Sequence, residues 1–324
     1  MRDHRRCRAR RRTRPGRGAI PADRREVLAR AAPDAVVNVG SVTLKNPVMT
    51  ASGTAGYGTE LGRYFDLSSL GALVVKSLAA YEWAGHPAPR LHPTTSGMLN
   101  AVGLQGPGIP YWLEHVVPEL ERSGATIVAS IWGRSLADYR RAAELLAAAP
   151  SAVVAVEVNL SCPNLEGRSS MFAHDPHLAA EVIEATAACG RPRWAKLSAN
   201  TDRIVDVAAA VGDAGADAVT CINTLLGMAF DRETRRPALA AGGGGLSGPA
   251  IHPIAVRAVH DVHQAHPDLP IVGVGGVRSG WDVAEFLLAG ACAVQVGTAT
   301  FADPAAPRRV LDEWRDLQRS SALP

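Results

Sequence analysis

The sequence lacks any long apolar run. A membrane-spanning helix needs about 18–20 consecutive apolar residues, and no segment of the 324 residues approaches that length. The first 30 residues contain arginine pairs but no apolar stretch after them, so they do not have the form of an export signal. These absences predict a protein without a membrane anchor.

Cysteine is scarce and shows no paired spacing. The five cysteines stand at positions 7, 162, 189, 221 and 292, with no Cys-x-x-Cys spacing among them. A disulfide framework or a cysteine-bound zinc or iron–sulfur site would need closely spaced pairs. The pattern therefore favours a reduced, cytoplasmic protein that does not ligate a metal cluster with its own cysteines.

The formal net charge of +3 hides an uneven distribution. Residues 1–30 contain twelve arginines and three acidic residues, a net charge of +9, whereas the rest of the chain has 22 basic and 28 acidic residues. A mildly acidic body does not suggest nucleic-acid binding. The Arg-rich start has no apolar periodicity, so we predict a disordered extension over residues 1–33 and one folded domain over residues 34–324.

Short apolar segments alternate with longer segments of helical character. The predicted strands are Pro47–Ala51, Ala72–Lys76, Thr126–Ile131, Val153–Leu160, Arg193–Leu197, Ala218–Asn223, Pro270–Val274 and Ala293–Gly297. Continuous apolar runs are typical of parallel strands that helices cover on both faces. Eight such units predict the α/β class and a closed (β/α)8 TIM barrel; an open doubly wound sheet is the alternative, but it rarely repeats eight units so evenly. We also predict a β-hairpin over Val36–Leu44 and a long Gly-rich loop over Leu225–Pro249, after strand six.

Acidic residues and histidines are missing from the predicted strand ends, where TIM barrels carry their chemistry. The ends hold amides, hydroxyls, two lysines and one thiol instead. A hydrolase would need paired carboxylates or a Ser–His pair, and a metal site would need clustered His or Asp. The strand ends therefore favour a planar polar ligand held by amides.

Lysine is the rarest charged residue of the chain. Lys45, Lys76 and Lys196 are the only lysines among 34 basic residues, and the last two fall at predicted strand ends. A compact ammonium differs chemically from the broad guanidinium that prevails elsewhere. A ligand-binding role is favoured over a chance pairing or a structural salt bridge.

Glycines follow the last two strands, where barrels often bind phosphate through backbone amides. Gly275-Gly276 and Gly297-Thr298 occupy these positions, and Gly248 in the preceding loop adds another amide. Although glycine also serves ordinary turns, the two sites together favour the phosphate of a phosphosugar or of flavin mononucleotide (FMN).

One thiol follows strand four. Cys162 lies in a loop beside Pro163, between Asn159 and Asn164, whereas the other barrel cysteines fall in predicted core segments. A thiol in this position can act as a base or nucleophile if its pKa is lowered or the proton of the substrate is acidic. Because no histidine stands nearby in sequence, a role as general base depends on the substrate.

Eight motifs occur in order between residues 46 and 299. They are NPVMTASGTAGYG (46–58), VVKS (74–77), MLNAVGLQGPG (98–108), VNLSCPN (158–164), INTLLGM (222–228), GGLSGPAIHPIAVRAV (244–259), GVGGV (273–277) and EFLLAGACAVQVGTA (285–299). Together they resemble the class 1 dihydroorotate dehydrogenases, and the B-type branch in particular. The resemblance implies an FMN-binding TIM barrel that oxidises (S)-dihydroorotate to orotate in pyrimidine biosynthesis.

The resemblance also implies roles for individual residues. FMN would contact Ser52, Lys76, Ser77, Ser130, Asn159, Lys196, Ile222, Gly248, Gly275, Gly276, Gly297 and Thr298. The pyrimidine would contact Lys76, Asn100, Ala101, Val102, Gly103, Leu104, Asn159, Asn164, Asn223 and Thr224. Cys162 would be the base that takes the C5 proton while hydride leaves C6 for the flavin. Lys196 would stabilise the negative charge of the reduced flavin.

The implied partners follow from the same resemblance. B-type enzymes pass electrons to NAD through a partner subunit that carries FAD and an iron–sulfur cluster, around a homodimer core. The few cysteines of this chain agree with a cluster that is held elsewhere. The segment LEGRSSMFAHDP (165–176) departs from the usual B-type pattern, and Ser130 stands where many members have an Asn. The fumarate-reducing A-type enzymes therefore stay an alternative.

Other functions fit the same residues. One is an FMN oxidoreductase of another pyrimidine, such as uracil or thymine. Another is a flavin-free lyase or isomerase of phosphosugars on the same barrel. A non-catalytic binding subunit is disfavoured, because every group that the implied reaction needs is present.

Overall fold

The computed structural model describes residues 36–161 and 171–321. The predicted extension over residues 1–33 lies outside this part of the chain, as do the predicted site residues Cys162 and Asn164. The strands, in chain order, are β1 (Val37–Val39), β2 (Val42–Leu44), β3 (Val48–Thr50), β4 (Leu73–Val74), β5 (Leu91–Thr94), β6 (Gly97–Asn100), β7 (Ile127–Ile131), β8 (Val153–Asn159), β9 (Arg193–Lys196), β10 (Ala218–Cys221), β11 (Leu225–Gly227), β12 (Gly244–Ser247), β13 (Ile271–Val274) and β14 (Ala293–Val296).

Eight parallel strands form the central sheet, in the order β3-β14-β13-β10-β9-β8-β7-β4. The two ends of this order meet, because Met49 forms a parallel bridge with Ala72 and the amide of Gly71 donates to the carbonyl of Val48 at 2.8 Å. All residues of β7, β10, β13 and β14 are buried, as expected for strands that helices cover on the outside. The predicted (β/α)8 barrel is confirmed.

Helices surround the barrel. Their bounds are Ile109–Tyr111, Val117–Arg122, Leu136–Leu146, Pro176–Ala185, Ile204–Asp213, His252–Ala265, Gly280–Ala289, Ala299–Ala302 and Ala306–Ser321, and the π-helical turn Trp112–Val116 joins the first two. Short 3-10 segments cover Glu60–Arg63, Leu67–Ser69, Phe172–His174, Ala187–Cys189 and Pro249–Ile251. Ser279 and Asp282 form a capping box that fixes the start of Gly280–Ala289, and Gly290 ends that helix in the left-handed conformation. Within the described ranges, no helix has both the length and the apolar character that a membrane crossing requires.

The hairpin β1–β2 covers the barrel end where the strands begin. Its register pairs Val39 with Val42 around a two-residue turn, which agrees with the hairpin predicted over Val36–Leu44. Val39 and Leu44 are buried and pack in one cluster with Met49 and Trp194, which belong to barrel strands. The hairpin therefore closes the apolar interior of the barrel from below.

A smaller antiparallel sheet lies near the opposite end of the barrel, in the order β11-β12-β6-β5. The predicted long connection over Leu225–Pro249 is present, and it contains β11 and β12. Strand β12 pairs with β6, which comes from the connection that follows β4. The Gly-rich segment has little intrinsic β-propensity, so this pairing depends on a distant partner and not on a local pattern.

Candidate active site

A cavity of about 380 Å³ opens at the carboxyl ends of the barrel strands. Its volume falls in the range of roughly 300–1,000 Å³ that small-molecule and cofactor pockets occupy. The predicted site residues that line it are Ser52, Lys76, Ser77, Asn100, Ala101, Val102, Gly103, Leu104, Asn159, Lys196, Ile222, Asn223, Thr224, Gly248, Gly275, Gly276, Gly297 and Thr298. Of the predicted site residues in the described ranges, Ser130 alone does not line this cavity.

The floor of the cavity contains a buried ion pair. The ammonium of Lys196, at the end of β9, donates to the hydroxyl of Ser52 at 2.9 Å and lies 3.3 Å from a carboxylate oxygen of Glu157. Glu157 is fully buried. Its other oxygen accepts from the hydroxyl of Thr220 at 3.2 Å and from the amide nitrogen of Gln295 at 2.6 Å. These donors offset the cost of burying a charged carboxylate.

Glu157 is a site residue that the sequence reasoning missed. That reasoning considered only the residues at the strand ends, whereas Glu157 lies two positions before the last residue of β8. Side chains at positions i and i+2 of a strand share a face, so Glu157 points to the same side as Asn159. Because side chains alternate in direction along a strand, counting back two residues from Asn159 within β8 could have revealed this carboxylate.

Amide side chains form one wall. The Asn223 side-chain amide donates to Oδ1 of Asn159 at 2.9 Å, and the same oxygen accepts from the backbone N–H of Ser161 at 3.1 Å. Asn200, which also lines the cavity, donates from its side-chain nitrogen to the carbonyl of Thr224 at 3.0 Å. These contacts fix which end of each amide is the donor. The sequence reasoning missed Asn200, because it lies four residues past Lys196 and outside every quoted motif.

Lys76 is a partly buried cation on the cavity wall. Its ammonium donates to the hydroxyl of Tyr57 at 2.6 Å and to the carbonyl of Gln105, and it lies 4.9 Å from the centroid of the Tyr57 ring. Burial, assisted by the charge of Arg90, lowers the pKa of Lys76 to about 8. Burial and the charge of Glu60 raise the pKa of Tyr57. At neutral pH the Lys76–Tyr57 pair is therefore an ammonium beside a neutral phenol.

Backbone amides collect at the end of the cavity beside β13 and β14. Gly248 and Gly276 adopt positive φ angles of 93° and 69°, which side chains other than glycine rarely tolerate. Within residues 36–161 and 171–321, the N–H groups of Gly276, Gly297 and Thr298 donate to no protein acceptor. Clustered N–H groups of this kind suit an anion such as a phosphate.

The segment Asn100–Leu104 forms another part of the wall. The side-chain amide of Asn100 donates to the carbonyl of Gly245 at 3.2 Å, and the indole of Trp83 donates to the carbonyl of Gly103 at 3.0 Å. Leu104 adopts a positive φ of 62°, a strained conformation for this residue that its surroundings must hold. The segment is thus held at Asn100 by the strand β12 and at Gly103 by the indole of Trp83.

Ser130 lies behind the cavity wall. Its side chain is fully buried, and its hydroxyl is 2.8 Å from the hydroxyl of Ser77, which does line the cavity. Ser130 therefore contacts a residue of the site, Ser77, and not the cavity itself.

Comparison with known proteins agrees with this geometry. The sequence profile of the family described as dihydroorotate dehydrogenase matches residues 35–317. The chain belongs to the dihydroorotate dehydrogenase family. The match covers the barrel and leaves out the whole Arg-rich start.

Several curated members of the dihydroorotate dehydrogenase family are close relatives. The protein named dihydroorotate dehydrogenase B (NAD(+)), catalytic subunit, of Geobacter sulfurreducens is 48% identical over 282 residues, or 87% of this chain and 92% of that protein. The proteins of the same name from Trichlorobacter lovleyi and Alkaliphilus metalliredigens are 48% and 46% identical, over 86% and 85% of this chain and 92% and 91% of theirs. The predicted resemblance to the B-type branch is confirmed.

A solved structure shares the dihydroorotate dehydrogenase fold. The crystal structure of the enzyme from Eimeria tenella, in complex with ferulenol, aligns with a TM-score of 0.72 over 91% of this chain and 87% of that one. The two sequences are 20% identical, so this likeness concerns the barrel fold.

Proposed function

We propose that this chain is the catalytic subunit of a B-type dihydroorotate dehydrogenase, which oxidises (S)-dihydroorotate to orotate with FMN in de novo pyrimidine biosynthesis. One observation carries the proposal: two buried or partly buried lysines, an amide wall and acceptor-free backbone N–H groups converge on a single cavity at the strand ends. Relatives that bear this enzyme's name at 46–48% identity support it.

The donor set of the cavity fits FMN. The N–H groups of Gly276, Gly297 and Thr298 suit its phosphate, because they lack protein acceptors within the described ranges. The other residues that would hold it are Ser52, Lys76, Ser77, Asn159, Lys196, Ile222, Gly248 and Gly275, and Ser130 would support Ser77 from behind the cavity wall. When bound, FMN would accept the hydride that leaves C6 of dihydroorotate.

Lys196 supplies fixed positive charge at the floor of the cavity. Its ammonium is held by Ser52 and Glu157, and only 5% of its side chain is exposed. A fixed charge in a site with little water stabilises an opposite charge that develops beside it far better than a mobile surface charge does. We assign to Lys196 the stabilisation of the negative charge that hydride transfer produces.

The pyrimidine ring would be held by residues that offer both donors and acceptors. They are Lys76, Asn100, Ala101, Val102, Gly103, Leu104, Asn159, Asn164, Asn223 and Thr224. The ammonium of Lys76 suits the carboxylate of dihydroorotate, a group that uracil and thymine lack. This contact would favour dihydroorotate over the other pyrimidines.

Cys162 would act as the catalytic base. Its thiolate would take the proton from C5 while hydride leaves C6 for FMN. The C5–C6 double bond of orotate would form, with the proton on Cys162 and the hydride on the flavin. Ser161 and Met171, which flank the undescribed segment 162–170, both line the cavity and support this assignment.

The electron acceptor and the assembly belong to the same proposal. We infer that the chain forms a homodimer core, and that a partner subunit with FAD and an iron–sulfur cluster passes the electrons to NAD in the cytoplasm. The relatives' designation as catalytic subunits of an NAD(+) enzyme supports a partner. The scarcity of cysteine in this chain agrees with a cluster that the partner holds.

The deciding experiment is to record the visible spectrum of the purified protein and then add dihydroorotate without oxygen. We expect the yellow absorption of an oxidised flavin, followed by its bleaching. A colourless protein would favour the phosphosugar enzymes, and bleaching by dihydrouracil or dihydrothymine but not by dihydroorotate would favour the other pyrimidines.

A cysteine pair tests the base. Cys162→Ala should retain the flavin yet bleach far more slowly. Cys292→Ala is the matched control, because burial raises the pKa of that thiol to about 11 and it does not line the cavity. Equal bleaching rates in the two variants would remove Cys162 from this role.

A further inference from the structure

His252 connects the backbone of Gly275 to the helix Gly280–Ala289. Its Nδ1 lies 2.8 Å from the carbonyl oxygen of Gly275, and its Nε2 lies 3.2 Å from a carboxylate oxygen of Glu285. The imidazole is only 14% exposed and meets the ring of Phe286 edge-on at 5.2 Å. Because a carbonyl oxygen can only accept, Nδ1 must be the donor in the contact with Gly275.

His252, Asp282 and Glu285 lie close enough together to suggest a metal site. The carboxylate of Asp282 is already engaged, because it accepts from the N–H groups of Arg278 and Ser279 at 2.8 and 2.9 Å. Its other oxygen lies 3.7 Å from His252 Nε2. The contacts of these three side chains are therefore explained by hydrogen bonding within the protein, and they hold the imidazole of His252 in place.

The peptide between Gly275 and Gly276 is the one that this imidazole holds. Both glycines adopt positive φ, 141° and 69°, and neither has a side chain to restrain its backbone. The C=O of Gly275 and the N–H of Gly276 belong to the same trans peptide, so they point in opposite directions. A donor that fixes the carbonyl on one side therefore fixes the N–H on the other.

The N–H of Gly276 is one of the acceptor-free groups at the end of the cavity. We propose that His252 is a positioning residue for anion binding: it holds the Gly275–Gly276 peptide so that this N–H faces the phosphate of the cofactor. The inference rests on the proposed function, because it takes the phosphate to be that of FMN. His252 itself does not line the cavity, and its contribution passes through the peptide.

The test compares FMN with riboflavin, which lacks the phosphate. The full-length chain, freed of bound flavin, is titrated with each flavin while flavin fluorescence is followed. We expect His252→Leu to weaken FMN binding by about five- to tenfold, the worth of one hydrogen bond, and to leave riboflavin binding unchanged.

Asparagine provides the conservative variant. The side-chain nitrogen of Asn is attached at Cγ, as is Nδ1 of His, so His252→Asn keeps a donor for the carbonyl of Gly275 while it loses the contact with Glu285. We expect this variant to recover most of the FMN affinity. His177→Leu is the matched control, since it removes a 3.3 Å imidazole–carboxylate contact with Glu181 at an exposed position of the helix Pro176–Ala185 that does not line the cavity.

The outcomes separate the two proposals. Equal losses of FMN and riboflavin affinity in His252→Leu, or no loss of either, would overturn the positioning role. Failure of the unsubstituted chain to bind FMN would overturn the proposed function instead.

Discussion

The ammonium of Lys196 lies 3.3 Å from the carboxylate of Glu157, and the two side chains are 5% and 0% exposed. Such a pair contributes little net stability compared with apolar residues of the same size, because both charges have lost their water. Removal of one partner is costly, since it leaves the other charge buried and alone. The pair is therefore better explained by function than by stability: Glu157 holds the ammonium of Lys196 at the cavity floor.

A double-mutant cycle should reveal this coupling. We expect Glu157→Leu and Lys196→Met each to lower the free energy of unfolding by about 3–5 kcal/mol, and the double variant to lose much less than the sum. Urea denaturation of the flavin-free protein measures all four free energies. Additive losses would mean that the two charges do not depend on one another.

Lys76 should make the stability depend on pH. Its folded pKa of about 8 lies below the ordinary lysine value of 10.5, so the cost of burying the charge is fully present below pH 8 and is relieved as the pH rises from 8 toward 10.5. Relative to Lys76→Met, the unsubstituted chain should gain stability on the order of 1–2 kcal/mol between pH 7 and pH 10, a value that discounts the full shift for solvent screening.

The comparison with Lys76→Met cancels the titration of other groups. It is made by urea denaturation of both flavin-free proteins at each pH. A difference that stays constant with pH would show that Lys76 keeps an ordinary pKa in the folded chain.

The barrel and most of the cavity lining follow from the sequence because both are encoded locally. Apolar β-branched runs specify the buried strands, and the residues that end the strands line the cavity, as Asn159 and Lys196 do. Glu157 was missed because its position inside the barrel is encoded only by alternation along β8. Asn200 was missed because it lies outside every quoted motif, and His252 was missed because its partner, Gly275, is distant in sequence.

The small antiparallel sheet also could not be predicted from local sequence patterns. Strands β5 and β6 lie in a connection that no motif marks as extended, and β12 consists of the residues Gly244–Ser247. Glycine favours no strand by itself, so these elements form only once the barrel brings the two connections together.

A methyl group on Gly245 should disturb the cavity wall. A Cβ there would lie 2.1 Å from the hydroxyl of Thr224, so Gly245→Ala must displace that side chain. We expect kcat/KM for dihydroorotate to fall about tenfold or more, since small misplacements of binding groups are costly, while flavin content stays unchanged.

The control for this change is Gly62→Ala, where the nearest atom, Cδ1 of Leu67, is at an ordinary 3.5 Å. Steady-state kinetics measure kcat/KM for dihydroorotate in both variants. Unchanged kcat/KM in Gly245→Ala would show that Thr224 does not shape the substrate site.

Ser77 and Ser130 should differ in their effect on FMN, although their hydroxyls are only 2.8 Å apart. Ser77 lines the cavity and Ser130 does not. We expect Ser77→Ala to weaken FMN binding about tenfold, whereas Ser130→Ala should lower the free energy of unfolding by about 1 kcal/mol and change FMN affinity less than about threefold. Fluorescence titration and urea denaturation measure the two quantities. Equal losses of FMN affinity in both variants would mean that Ser130 contacts the cofactor itself, as the resemblance to the B-type enzymes implies.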